Sequence, residues 1–125
     1  MGAFEVQPYD VTYVAPTVGL PAANTLSGLQ FALARWKMTD TSGQPVTTLG
    51  TVAAVKYTPM TCGGDIPAWN NAYPTADLRL PNNPLYNYYQ KAWEFYWQPP
   101  TAKGCYALLI KLATSQVIPV LFTRN

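Results

Sequence analysis

Residues 93–112 read WEFYWQPPTAKGCYALLIKL, two β-type runs divided by a proline stop. In the first, Trp93, Phe95 and Trp97 alternate with Glu94 and Tyr96, so three large rings share one face of a strand. Pro99 and Pro100 end it, because proline brings no amide hydrogen to a ladder. In the second, Cys105 to Leu112, the core face is Tyr106, Leu108, Ile110 and Leu112. Period two on both sides of a stop is the signature of strands rather than helices.

The same reading extends in both directions. Gln116–Thr123 is a strand with Ile118, Val120 and Phe122 inward and Pro119 marking an edge. Val52–Thr58 is another. Leu29 to Thr39 is the longest candidate, and its phase changes: Phe31 and Leu33 have one parity, Trp36 and Met38 the other. One face holds all four only if the strand bulges near Ala34. Asp40-Thr41-Ser42-Gly43-Gln44-Pro45 is a turn by composition. Phe4–Gln7 and Val11–Val14 are short β runs, residues 15–28 an irregular linker. Residues 63–92 form a long Pro/Tyr-rich loop with a strand expected at Ala76–Leu80. The expected fold is all-β: an antiparallel β-sandwich of seven to eight strands, immunoglobulin-like in plan. Residues 1–21 are an N-terminal arm or edge strand, and 22–125 the sandwich domain.

Composition narrows the function. The 125 residues suffice for one domain with its own core. Only 11% are charged, against roughly 25% for a typical soluble domain. The eight Lys and Arg are scattered singly, which excludes a nucleic-acid footprint. No run is long and apolar enough to insert in a membrane. The start, MGAFEVQPYDV, shows no signal peptide, so export is handled before this sequence begins or by another route. There is no His and there are two Cys, Cys62 and Cys105. A zinc site and a Cys–His nucleophile therefore fall away, leaving a disulfide or two buried thiols. An aromatic-rich, charge-poor β domain is typical of secreted modules, which favours the disulfide.

Several stretches carry a resemblance. LARWKMTDTSGQPV (33–46), AWEFYWQPPTAKGCYALLIKL (92–112) and VIPVLFTR (117–124) resemble the bacterial PxKF domain family, over residues 22–124. Leu33, Arg35 and Trp36 stand where that motif has Pro, Lys and Phe. The resemblance implies an extracellular immunoglobulin-like module with paired cysteines, an accessory part of secreted proteins without established chemistry.

The candidate sites are few. Without His no His-based triad exists. Of the six carboxylates, Asp40 has a turn to explain it and Glu94 sits on an outward strand face, so no enzyme, cofactor or metal is expected. Asp65, Asp77, Asn70 and Asn71 match no calcium-loop spacing. Trp69, Tyr73, Tyr86, Tyr88 and Tyr89 lie off the alternating strands. They either pack the 63–92 loop onto the sandwich or form an exposed binding surface, suited to a polysaccharide or another subunit. Phe4, Val6, Tyr9, Val11 and Tyr13 make the first segment apolar. It is an edge strand of its own domain or an assembly arm that completes a neighbour's sheet. The expected role is a non-enzymatic extracellular or particle-surface module that self-assembles or coats a surface, alongside copies of itself or a neighbouring surface protein. A carbohydrate-binding module is the alternative.

Overall fold

The structure, a computed structural model, describes residues 9–20, 22–27, 31–71, 78 and 84–125. Eight strands form among them: β1 Asp10–Tyr13, β2 Asn24–Leu26, β3 Ala32–Thr39, β4 Val52–Met60, β5 Leu85–Asn87, β6 Ala92–Trp97, β7 Gly104–Leu112 and β8 Val117–Arg124. No helix among the described residues is long and apolar enough to cross a membrane. The strands build two four-stranded sheets, in the orders β1-β3-β6-β5 and β2-β8-β7-β4. These pack as a sandwich around one shared core. Pairing is antiparallel throughout except for the short parallel pair β2–β8.

Alternation decides which residues enter the core. Trp93, Phe95 and Trp97 from β6 meet Tyr106, Leu108, Ile110 and Leu112 from β7, as expected, and Ile118, Val120 and Phe122 close the layer from β8. Rings bridge the two sheets: Trp97 lies edge-on to Phe122 at 5.6 Å and tilted to Tyr57 at 5.3 Å. Trp36 and Trp93 stack at 6.4 Å within the first sheet.

Strand β3 departs from the expected phase change. Ala32, Ala34, Trp36 and Met38 are all buried in unbroken alternation, whereas Phe31 is 61% exposed and Leu33 points outward. Two alanines opposite the β6 rings occupy the inner face, so no bulge is needed near Ala34. The bulge lies in β4. Val52 pairs with Leu112 and Ala54 with Lys111, leaving Ala53 as the extra residue. That shift lets Val52, Val55 and Tyr57 all face the core despite their mixed parity.

The described residues of the 15–28 segment are tied to the sheets, unlike an irregular linker. It contains β2, and Thr17 bonds along the free edge of β3, donating to the Leu33 carbonyl at 3.0 Å and accepting from the Arg35 amide at 2.9 Å. Asn24 ties the segment down through the Val18 amide and the Val18 and Leu121 carbonyls. The 40–45 turn forms as read. The Asp40 carboxylate accepts from the Ser42 hydroxyl and amide and the Gln44 amide, and Gly43 takes φ +82°. The Ser42 hydroxyl, with the Gln44 amide second, holds that carboxyl below its usual range. The strand expected at Ala76–Leu80 lies outside the described residues except for Leu78, whose amide donates to the Val55 carbonyl on the edge of β4.

Candidate functional site

The two outer faces of the sandwich differ. On the second sheet, β7 is buried on both sides: Ala107 and Leu109, of outward parity, are as buried as its core face, and Leu121 of β8 joins them. The segment after β4 covers them. Trp69 packs on this cluster with Met60 and Val117, the Lys111 ammonium sits 5.4 Å from its ring centre, and its indole donates to Asn71 Oδ1 at 2.8 Å. A disulfide, Cys62–Cys105, anchors the cover, with Cα atoms 5.2 Å apart. It joins the end of β4 to the facing end of β7, within one sheet, where Met60 registers with Cys105.

On the first sheet no described segment covers the outer face. Register sets Leu33 opposite Tyr96, Arg35 opposite Glu94, and Leu85 opposite Glu94. The charged groups in this row satisfy one another. Arg35 donates to Glu94 Oε2 at 2.7 Å through Nε and at 2.6 Å through Nη2, and to the Ala15 carbonyl; Asn87 donates to Oε1 at 3.2 Å. Glu94 is thus largely covered, its side chain only 12% exposed, although it points outward. Toward β5 and the start of β3 the face offers apolar and aromatic groups to solvent: Leu85 is 67% exposed, Tyr96 52%, and Phe31 continues the line of Leu33. Toward β1 it is polar, with Lys37, Thr12 and Asp10 exposed. Sequence reasoning missed these residues. Tyr96, a large ring at outward parity between Phe95 and Trp97, was the available signal.

The residues expected to bind are separated by the fold. Trp69 belongs to the cover of the second sheet, on the opposite side of the sandwich from the other described tyrosines of the set. Tyr86 lies on strand β5 rather than in a loop, packed edge-on to Trp93 at 5.7 Å and to Tyr88 at 4.8 Å. Tyr88 and Tyr89 project from the β5–β6 turn, Tyr89 being 97% exposed. That turn is held by Asn87 Oδ1, which accepts from the Tyr89 and Gln90 amides. Tyr73 lies outside the described residues.

The arm divides likewise. Val11 and Tyr13 are inward residues of β1, which pairs with β3 of the same chain, and Tyr9 packs against the same core. Phe4 and Val6 lie outside the described residues. Of the loop oxygens weighed for calcium, Asp77 is also outside. Among the described residues no three His, Cys, Asp or Glu side chains gather where they could hold a metal ion. Compared with known proteins, the chain matches no family model, no curated protein and no solved structure.

Proposed function

We propose that this chain is a non-enzymatic structural module of an extracellular or particle surface, assembling with copies of itself through the outer face of its first sheet. The observation that supports this is the contrast between the faces. The chain covers the apolar outer face of one sheet with its own Trp69 segment. On the other no described segment covers Leu33 and Tyr96, paired across β3 and β6, or Leu85, which lies diagonally to Tyr96 on β5. Outer faces of sandwich sheets are ordinarily polar, and an uncovered apolar patch is the feature of a surface that meets a partner. Low charge suits the same role, since copies with a net charge of +2 repel one another weakly. The disulfide and the PxKF-like stretches support an extracellular setting.

The test is size-exclusion chromatography with light scattering over a hundredfold concentration range, on the full chain and on Leu85→Lys/Tyr96→Lys. Both positions are exposed, so the variant should melt within a few degrees of wild type. Oligomers in wild type that become monomers in the variant are expected. A wild type that stays monomeric throughout sinks the reading.

A second reading, carbohydrate binding, draws on the β5–β6 turn, whose Tyr88 and Tyr89 rings stand out from a hydrogen-bonded base. Polysaccharide retention that disappears in Tyr88→Ala/Tyr89→Ala would favour it over assembly.

A further inference from the structure

The cover on the second sheet does not fill the whole outer face. Beside the disulfide it leaves a cavity of about 370 Å³, within the roughly 300–1,000 Å³ range of small-molecule sites. Its apolar surface comes from Met60, Ile66, Leu121 and the Cys62–Cys105 disulfide, with Ala23 among the remaining lining residues. The rim contributes one charge, Asp65.

We propose that this cavity binds a small aromatic amine, with its ring against the sulfur-rich wall and its ammonium on Asp65. Three observations carry this, independently of the assembly reading. First, the wall presents a thioether and a disulfide together, and sulfur packs favourably against aromatic rings. Second, Asp65 is the one carboxylate at this cavity; elsewhere Asp40 accepts three bonds in its own turn, Glu94 takes Arg35 and Asn87, and Asp10 lies on β1, away from the cavity lining. Asp65 has no hydrogen-bond or ion-pair partner among the described residues, so turn chemistry does not account for it. A lone carboxylate at an apolar cavity selects a cation and rejects an anion. Third, the loop beside it is built from backbone. Gly63 adopts φ +74°, and a Cβ on Gly64 would come within 3.0 Å of the Thr61 carbonyl oxygen. Glycine at both positions keeps the cavity free of two further side chains.

The experiment is an NMR titration of the oxidised full chain with three probes of similar shape: phenethylamine, 2-phenylethanol and phenylacetate. The amine should shift the amides of Gly63, Gly64 and Thr123 and saturate in the millimolar range. It should bind about three- to fivefold more tightly than the alcohol, the size of one exposed charge pair, with phenylacetate weakest. Asp65→Asn, at an exposed position, should bring the amine down to the affinity of the alcohol and leave the alcohol unchanged. Ala23→Phe, which places a ring in the cavity, should abolish binding of both. Equal affinities for the three probes in wild type, no saturable shift with any of them, or shifts that survive both substitutions would each overturn the proposal.

Discussion

Tyr13 lies at the edge of one sheet, and its hydroxyl donates to the Pro119 carbonyl of the other. Pro119 lies on β8 beyond the reach of β2, which pairs only with Phe122–Arg124, so this stretch has an open side, in keeping with the edge read from its proline. Gly19 makes room for the Tyr13 ring, since a Cβ there would collide with it. Burial pushes the Tyr13 phenol above its usual range. The sign of the resulting pH dependence follows: above about pH 10 the unfolded chain loses that proton while the folded chain keeps it, so stability falls as pH rises through the interval up to the folded value. Tyr13→Phe should therefore cost about 1 kcal/mol at neutral pH through the lost hydrogen bond, and its deficit relative to wild type should shrink above pH 10. Urea melts of both proteins from pH 7 to 11 check this, and a deficit that stays constant would refute it. Nothing in the sequence marks Tyr13 as a tie between sheets. It reads only as one apolar position in a β run.

At the scale of elements, alternation was legible where inner and outer faces differ in polarity and misleading where they do not. β6 and the inner face of β7 were readable residue by residue. β3 misled because Phe31 and Leu33 are as apolar as Trp36, although the smaller Ala32 and Ala34, with Met38, share the Trp36 face. The outward burial of β7 had a signal that period-two reading overlooks: Cys105, Ala107 and Leu109 make the run apolar at both parities, as in a strand covered on both sides. β2 and β5, at three residues each, are too short to show a period. The Trp69 cover yields a prediction at this scale. Trp69→Ala should lower stability by about 2 kcal/mol, somewhat below the loss for a fully buried tryptophan. It should also speed hydrogen exchange in residues 61–71, leaving β3 and β6 unchanged. Uniform acceleration across both sheets would show that the cover is part of the global folding unit instead.

For the whole molecule, the largest single covalent constraint is Cys62–Cys105, with a sequence separation of 43. In the chain-entropy view a loop of that size contributes about 4 kcal/mol, a large share of the stability of a domain this small. Cys62→Ser/Cys105→Ser should lose roughly that amount in denaturant melts. A loss below about 1 kcal/mol would mean that β4–β7 pairing already restrains the unfolded chain there. The sequence by itself determined the all-β class, the inward residues of the aromatic and C-terminal strands, the 40–45 turn and a preference for the disulfide. Each of these depends on local chemistry: side-chain parity, proline stops, turn residues and the absence of His. Only the tertiary structure decided that Trp69 and the exposed tyrosines of the β5–β6 turn belong to different faces. It also decided that β1 pairs at home, that the disulfide joins neighbouring strands of one sheet, and that among the described residues one outer face is covered while the other is not. Those outcomes depend on which strands become neighbours and on where a long loop returns, and such long-range choices are made by packing of the whole core rather than by any local run of residues.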